Sequence, residues 1–298
     1  IRQLLDKYFE MPPSAEAEGY QGPLPHMLTG FTGLDEFLGG FKRSDLIILA
    51  ARPSMGKTSM ALSIARNAAV ELGASVVLFS LEMSGEALVS RLLGIEAGVS
   101  PPRDRFHLSA EEERRIMEAA GRLAEAPLYI DDSPQLRVAE MRSKAFRFSY
   151  EHTMDLIVVD HLGLMQADTK IENRVQEVSY ISRSLKALAR ELHVPVLAVS
   201  QLSRASEWRA SHKPQLPDLR DSGSIEQDAD VVLFIYRDEY YYTKDQWEAQ
   251  HPDKAYPEGI AEIVIAKHRN GPTGEVQLKF ARSLARFENI GREEPSLL

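Results

Sequence analysis

The chain contains no cysteine, and it has no apolar run as long as a membrane helix needs. Without cysteine, the chain cannot form disulfide bonds, use thiolate catalysis or bind zinc through cysteine. A membrane-spanning helix needs on the order of 18 consecutive apolar residues, and no such run occurs. The first residues also lack a signal-peptide pattern. These absences predict a soluble, cytoplasmic protein with no membrane partner.

Positive charge is also in deficit. The sequence has 35 Lys and Arg residues against 44 Asp and Glu residues, a formal net charge of −9. This balance argues against a broadly basic surface but permits a local basic groove. The chain has 298 residues, of which 44% are hydrophobic. It is therefore large enough to bury a sizeable core, and a single α/β domain can have this size.

The first residues predict a short amphipathic helix followed by a linker. Apolar residues recur there at helical spacing: Ile1, Leu4, Leu5, Tyr8 and Phe9. Residues 11–25 are rich in Ala, Glu, Gly and Pro, which is typical of a linker. The apolar face of this helix must pack against another surface, either on its own domain or on another subunit. Because the sequence starts within the predicted helix, we expect a further domain upstream. We predict a linker helix over 1–10, a linker over 11–27, the main domain over 28–292 and a tail over 293–298.

From Thr32 onward, apolar strand-like runs alternate with helix-like segments. The predicted strands are 45–51, 75–80, 128–131, 155–160, 195–200 and 230–236. The predicted helices are 58–72, 84–97, 109–125, 135–151 and 172–192. Three further strands, 260–267, 275–280 and 284–288, form a hairpin-like end. The alternation predicts an α/β fold with a mostly parallel central sheet and helices on both faces, which binds ligands at the carboxyl ends of its strands.

The predicted helix 172–192 has one apolar stripe and several basic residues. The stripe predicts a core-facing side and comprises Val175, Val178, Ile181, Leu185, Leu188 and Leu192. The basic residues lie largely elsewhere and are expected on a solvated face: Arg174, Arg183, Lys186 and Arg190.

The segment from Ala51 to Thr58 lies between an apolar strand and a helix, which is the context of a phosphate-binding P-loop. Backbone N–H groups of such a loop and of the following helix bind nucleotide phosphates. Lys57 is expected to reach the β- and γ-phosphates, and the Thr58 hydroxyl to bind Mg²⁺. The usual pattern begins with Gly where this chain has Ala51, which suits the position only if it does not need a positive φ. The expected nucleotide-binding residues are Ala51, Arg52, Pro53, Ser54, Met55, Gly56, Lys57, Thr58 and Ser59.

Two carboxylates follow strand-like runs and are candidates for the chemistry. Glu82 follows the strand after the P-loop and is placed to activate a water molecule; alternatively, it belongs to the first turn of the next helix. Asp160 ends the run Leu156–Val159, as in a Walker-B strand, and is expected near Mg²⁺, for which oxygen ligands are suited.

Polar and basic residues later in the chain could complete a nucleotide site. Gln201 ends the next strand and could sense the γ-phosphate, or it could be an ordinary loop residue. Lys267 and Arg269 lie beside a predicted hairpin. They could act on a neighbouring subunit's nucleotide in a head-to-tail assembly, or they could simply be surface cations.

The connection before strand 230–236 could contact nucleic acid. It carries scattered cations and Trp208, which suits contact with phosphates and stacking on a base. Five acidic residues in the same connection argue against a simple basic funnel, so any binding must be local: Asp218, Asp221, Glu226, Asp228 and Asp230. An exposed loop Trp can equally be incidental.

Taken together, these segments resemble the C-terminal ATPase domain of the bacterial replicative DNA helicases, the DnaB family. The matching blocks span about residues 28–290 and are 30–35, 51–58, 79–84, 160–162, 182–190, 200–204, 221–230 and 266–272. Ala51 at the first P-loop position is usual in this family. His161 and Gly163 stand where many members carry Tyr and Gln.

The resemblance implies a RecA-like P-loop fold that binds ATP and Mg²⁺, and it implies a role for each candidate residue. Glu82 is then the catalytic base, Lys57 and Thr58 hold phosphate and Mg²⁺, and Asp160 is the Walker-B carboxylate. Gln201 is the sensor, with Lys267 and Arg269 acting on the adjacent subunit. The loop with Arg220, Asp221 and Gly223 is expected to follow single-stranded DNA in a homo-hexamer, and residues 1–10 to dock on a neighbour. Primase and a helicase loader are the expected partners.

Two other functions remain open at this point. A recombinase of the RecA or RadA class shares the core but forms filaments, although the linker helix and the block 221–230 disfavour it. A non-motor ATPase or a small-molecule kinase could also use a P-loop, although no lid with clustered Arg is evident. Stimulation of ATP hydrolysis by single-stranded DNA separates these from a translocating helicase.

Overall fold

The computed structural model of the chain describes residues 26–100, 108–204, 207, 209, 211–219 and 223–291. The strands are β1 His26–Met27, β2 Phe41–Lys42, β3 Leu46–Ala51, β4 Val76–Ser80, β5 Leu128–Asp131, β6 Leu156–Asp160, β7 Val196–Gln201, β8 Val231–Tyr236, β9 Ile260–His268, β10 Gly274–Ala281 and β11 Arg286–Asn289. The helices are α1 Thr32–Leu38, α2 Lys57–Arg66, α3 Gly85–Ala97, α4 Ala110–Glu125, α5 Val138–Glu151, α6 Arg174–Leu192, α7 Gly223–Asp228, α8 Asp238–Tyr241 and α9 Lys244–Gln250.

Nine strands form one central sheet in the order β11-β10-β9-β8-β3-β7-β6-β4-β5. The six strands from β8 to β5 in this order pair in parallel. Strands β9, β10 and β11 are antiparallel to their neighbours. This architecture confirms the predicted mostly parallel sheet with a C-terminal hairpin.

The central strands are continuous apolar runs because both faces of the sheet are covered. Successive residues of β3 point to opposite faces: Ile47 and Leu49 pack in one hydrophobic cluster, and Leu46 and Ile48 in the other. The first cluster includes side chains from α1, α2 and α3, and the second includes side chains from α5, α6 and α7. The two layers hold the carboxyl ends of the parallel strands at one edge.

Helix α6 differs from its predicted pattern at two residues. Val175 in its first turn is 42% exposed, so the packed stripe begins at Val178. Lys186 is not on a solvated face, because its ammonium pairs with the buried carboxylate of Asp230 and donates to the carbonyl of Ser44 at 2.8 Å. Apolar periodicity cannot show that a cation on the flank of a core helix has a buried partner.

Several short elements are not evident from sequence patterns. Strand β1 lies in the last two residues of the predicted linker and pairs with β2. Helix α1 follows a turn closed by Asp35, which accepts hydrogen bonds from the backbone of Thr29 and Gly30 at 2.8 and 3.0 Å. Helices α8 and α9 occupy a segment to which the sequence patterns assign no element. Among the described residues, no helix combines the length and apolar character needed to cross a membrane.

Candidate nucleotide-binding site

The P-loop follows β3 and leads directly into α2. Ala51 is the last residue of β3, is buried and does not have a positive φ. Ala in place of Gly therefore causes no backbone strain at this position. Positive φ values occur instead at Ser54 (66°) and at Gly56 (99°). No described side chain caps the first turn of α2, which starts at Lys57. Its N–H groups are therefore available to an anion.

Gly56 is restricted by its surroundings as well as by its backbone. A Cβ atom at this position would lie 3.1 Å from the ring of Phe287 and 3.2 Å from that of Phe280. Both rings come from the β10–β11 hairpin, so the hairpin packs directly against the P-loop. A side chain at Gly56 would push the loop and the hairpin apart.

Lys57 and Glu82 meet at the carboxyl edge of the sheet. The Lys57 Nζ donates to Glu82 Oε2 at 3.1 Å. Glu82 precedes α3, whose N-cap is Ser84, so it does not belong to the first turn of that helix. The Glu82 side chain is 46% exposed, whereas that of Lys57 is 11% exposed. The carboxylate thus lies at the rim of the site, where water can reach it.

Asp160 ends β6, and its carboxylate is enclosed by the protein. The residue is 2% exposed, and neither carboxylate oxygen forms a hydrogen bond with the described residues. Burial raises the pKa of Asp160, while the nearby Thr58 hydroxyl and Lys57 ammonium act in the opposite direction. An orphaned buried carboxylate beside a hydroxyl is an oxygen donor set suited to Mg²⁺. The described residues hold no cluster of three or more His, Asp or Glu side chains that could bind a metal by themselves.

His161 follows Asp160 and faces the same group. Its Nε2 lies 3.7 Å from Glu82 Oε2, and its Nδ1 accepts the N–H of Gly163 at 3.1 Å. Burial lowers the pKa of His161, and the Lys57 charge lowers it further.

A cleft of about 360 Å³ opens beside the P-loop. Lys57, Thr58 and Glu82 line it, together with Arg91 and the turn 283–285. Sequence reasoning missed Arg91 because it lies inside α3 with no motif around it. It missed the turn because contact between the hairpin and the P-loop is a property of the folded chain. Arg91 forms no ion pair within the described part of the chain, so it adds a second cation to the cleft beside Lys57.

Arg52 belongs to the P-loop, but its side chain points elsewhere. Its guanidinium donates to Glu207 Oε1 at 2.5 and 2.9 Å and to the carbonyl of Leu202 at 2.8 Å. It lines a second cleft, of about 290 Å³, together with Gln201, His161 and Arg204. Gln201 ends β7 and is exposed, between the P-loop strand and β6. The polar groups expected around the phosphates thus follow four adjacent strands: β3, β7, β6 and β4.

Lys267 and Arg269 lie at the opposite edge of the sheet. Strand β9 runs antiparallel, so its last residue, His268, pairs with Val231 at the start of β8. Arg269 Nη1 donates to Asp230 Oδ1 at 3.0 Å, and Lys267 Nζ donates to the carbonyl of Ala229 at 2.7 Å. The length of β3 separates this edge from the P-loop by roughly 17 Å or more. Neither cation can therefore reach the P-loop of its own chain.

The expected DNA-contacting loop is described only in part. Arg220, Asp221 and Trp208 lie outside the described residues, as do residues 1–25 with the predicted linker helix, and residues 292–298. Gly223 is the first residue of α7, which leads into β8.

The comparisons with known proteins agree on one family. A family model described as "DnaB-like helicase C terminal domain" matches residues 26–289. The Replicative DNA helicase DnaB of Geobacillus stearothermophilus is 49% identical over 273 residues, which are 91% of this chain and 58% of that protein. The Replicative DNA helicase DnaC of Bacillus subtilis is 46% identical over 274 residues, again 91% of this chain and 58% of that protein. The chain thus spans less than two thirds of the length of these relatives.

Two solved structures are similar along almost the whole chain. The ATPase Domain of G40P has a TM-score of 0.85 at 34% identity and covers 97% of this chain and 98% of its own. A structure described as a DnaB-like replicative helicase and its interactions with primase has a TM-score of 0.83 at 34% identity. That match covers 98% of this chain and 67% of the other.

Proposed function

Because the chain belongs to the family of DnaB-like helicase C-terminal domains, we propose that it is the motor part of a replicative DNA helicase. It hydrolyses ATP at the interfaces of a homo-hexameric ring, and the released energy moves single-stranded DNA through the ring and separates the duplex. Its expected place of action is the bacterial cytoplasm. The observation that carries this proposal is the split site, in which Lys57, Glu82 and Asp160 converge at one edge while Lys267 and Arg269 lie at the other.

The carboxyl edge supplies the parts of the reaction that one chain can provide. The P-loop backbone and the first turn of α2 bind the phosphates, and Lys57 leaves Glu82 to contact them. Thr58 and Asp160 are suited to hold Mg²⁺, which would offset the charge of the β- and γ-phosphates. Glu82 then accepts a proton from the water that attacks the γ-phosphate. Arg91 adds a cation to the same cleft.

The remaining cations come from a neighbouring subunit. Attack on the γ-phosphate spreads negative charge over its oxygens, which a planar guanidinium can stabilise. Arg269 and Lys267 lie at the far edge of their own chain, where a head-to-tail contact would bring them to the next P-loop. Such contacts close into a ring when the rotation between subunits permits it, and we propose six subunits.

The connection between β7 and β8 links the nucleotide to the DNA. Gln201 lies at its start, and Arg52 holds the carbonyl of Leu202 and the carboxylate of Glu207. We expect loss of the γ-phosphate to be passed along this connection to Arg220, Asp221 and Gly223, which follow the DNA backbone. Primase and a helicase loader are the proposed protein partners; one of the similar helicase structures is described together with its interactions with primase.

The decisive experiment is unwinding of a forked DNA duplex by the chain with ATP and Mg²⁺, with one tail blocked at a time. The proposal predicts ATP hydrolysis stimulated by single-stranded DNA and unwinding that one blocked tail abolishes; Lys57→Ala is the inactive control. Hydrolysis without DNA stimulation would favour a non-motor ATPase. Open filaments instead of closed rings in electron micrographs would favour a recombinase.

A separate measurement tests the DNA path. Replacing Arg220 with Ala should weaken binding of single-stranded DNA to a similar degree for every base sequence. It should also reduce the slope of log affinity against log salt by about one, because one phosphate contact is lost. An unchanged slope would remove Arg220 from the path.

A further inference from the structure

The imidazole of His161 is held between a backbone turn and the carboxylate of Glu82. Its side chain is 12% exposed. The Gly163 N–H donates to Nδ1 at 3.1 Å, and a Cβ atom at Gly163 would lie 2.8 Å from the same nitrogen. The ring therefore packs directly over a glycine that leaves room for it. Arg174 fixes the turn further by donating to the carbonyl of Gly163 at 2.5 Å.

These contacts decide which ring nitrogen carries the hydrogen. A neutral imidazole has one donor and one acceptor nitrogen. Since Nδ1 accepts from Gly163, the hydrogen lies on Nε2. Nε2 is the atom that faces Glu82 Oε2, at 3.7 Å. The ring thus directs a donor towards the proposed catalytic base.

Lys57 and His161 are the groups that approach the Glu82 carboxylate within the described part of the chain. Glu82 lies in the connection between β4 and α3, and its side chain is 46% exposed. Lys57 approaches the same Oε2 atom at 3.1 Å, but it is also the lysine expected to bind phosphate. Once Lys57 turns to the phosphates, His161 is the remaining described donor at that oxygen. The separation of 3.7 Å between Nε2 and Oε2 is longer than a hydrogen bond, so the Glu82 carboxylate must move towards the ring when Lys57 leaves it.

We propose that His161 is a positioning residue for Glu82, an inference that rests on the proposed ATP hydrolysis. Its Nε2–H holds one carboxylate oxygen of Glu82 so that the other meets the attacking water. His161 itself does not touch the nucleotide or the water. Orientation of this kind alters the rate of the chemical step more than the binding of ATP, because the base acts only in the transition state.

The alternative is a purely structural role, since His161 also caps the short turn Leu162–Leu164 through Nδ1. Two substitutions separate the roles. In His161→Asn the amide oxygen can replace Nδ1 and keep the cap, but no donor reaches Glu82. In His161→Gln the amide nitrogen can replace Nε2 and keep the donor, but the cap is lost.

The test compares the wild-type chain with both variants in ATP hydrolysis at saturating single-stranded DNA, with thermal unfolding measured alongside. We expect His161→Asn to keep its unfolding temperature and its KM for ATP while kcat falls about 10- to 100-fold. His161→Gln should keep most of the wild-type kcat even if it is less stable. Retained kcat in the Asn variant, or a Gln variant that is folded but as slow as the Asn variant, would overturn the proposal.

A measurement on the wild-type chain covers the case in which the variants unfold. Long-range ¹H–¹⁵N spectra distinguish the two tautomers of each histidine, and the proposal requires hydrogen on Nε2 of His161. Hydrogen on Nδ1 would contradict it. A wild-type chain that binds but never hydrolyses ATP would refute the proposed function and this inference together. Wild-type hydrolysis with unaffected variants would refute the inference alone.

Discussion

At the scale of single residues, the P-loop depends on a glycine for two separable reasons. Gly56 and Gly39 both have positive φ, at 99° and 66°, but only Gly56 would direct a Cβ atom into other side chains. At Gly39 a Cβ atom would meet nothing within 4 Å. The pair therefore separates backbone strain from packing.

We expect Gly39→Ala to lower the free energy of unfolding by about 1 kcal/mol, the cost of left-handed backbone. Gly56→Ala should cost about 1–3 kcal/mol more, because the new methyl group must displace Phe287 and Phe280. Urea unfolding of both variants measures the difference. An equal decrease in the free energy of unfolding for both variants would show that the β10–β11 hairpin moves aside without destabilising the chain.

Asp45 precedes β3, at the end of the sheet opposite the P-loop, and its carboxylate is destabilised there by burial and by a neighbouring negative charge. Burial raises its pKa from 3.8 to about 6, and the nearby Asp230 carboxylate adds to the shift. The folded chain therefore holds this proton more tightly than the unfolded chain does. The contribution of the group to stability is greatest at low pH and is lost as pH rises through about 6.

Replacing Asp45 with Asn should therefore stabilise the chain above the shifted pKa. We expect a gain of about 1 kcal/mol at roughly pH 8, discounted for the partial exposure of the carboxyl, and little gain near pH 4. Urea unfolding at the two pH values gives the comparison, with Asp253→Asn in an exposed turn as the control. A gain that grows towards low pH would contradict the expected sign.

At the scale of elements, the sequence predicts those helices and strands that have a hydrophobic periodicity or a motif at the end of a strand. The predicted long helices and apolar strands match those of the structure to within a few residues, except that the predicted helix 58–72 is α-helical only to Arg66 and continues as a π-helical turn, Asn67–Glu71. The RecA-like fold and the family are confirmed. Helix α1 and the β1–β2 pair could not be predicted in this way because they are short and are held by Asp35 and by side-chain packing. Such contacts leave no periodicity in the sequence.

The candidate site likewise contains some residues that the sequence predicts and others that only the fold brings together. Lys57, Thr58 and Asp160 stand at strand ends with recognisable neighbours, so their convergence follows from the parallel order of the strands. Arg91 and the turn 283–285 join the cleft only through the fold. The antiparallel β9 explains why Arg269 lies far from the P-loop, and no local pattern in the sequence states the direction of a strand.

In the described part of the chain, an ion pair joins the connection between β7 and β8 to the P-loop. Arg52 binds Glu207 through two nitrogens, and only 11% of its side chain is exposed. We expect Glu207→Gln to leave ATP hydrolysis without DNA nearly unchanged and to reduce stimulation by single-stranded DNA about fivefold, since coupling between sites is typically worth about 1–3 kcal/mol. Glu248→Gln on exposed α9 is the matched control. Full stimulation in the Glu207 variant would show that the ion pair carries no signal.

At the scale of the whole molecule, the division of the site between two edges predicts complementation. Arg269→Ala should bind nucleotide almost normally but fail to hydrolyse it, whereas Lys57→Ala should lose productive binding. Each variant keeps what the other lacks. In an equal mixture, roughly a quarter of head-to-tail contacts pair an intact P-loop with an intact Arg269.

The mixture should therefore hydrolyse ATP although each variant alone does not, and mixing two preparations of the same variant is the control. Turnover by Arg269→Ala alone at the wild-type rate would contradict the assignment in trans. A mixture that stays inactive under conditions where wild-type subunits exchange would do the same.

The antiparallel direction of β9 also determines how many complete catalytic sites an assembly of subunits contains. If every complete site lies between two copies, an isolated chain has none, and an open row of subunits always has one site fewer than it has subunits. Only closure makes the two numbers equal. The last contact closes the ring around the DNA strand and creates one additional catalytic centre. ATP hydrolysis per subunit would therefore be higher in closed rings than in open rows of subunits.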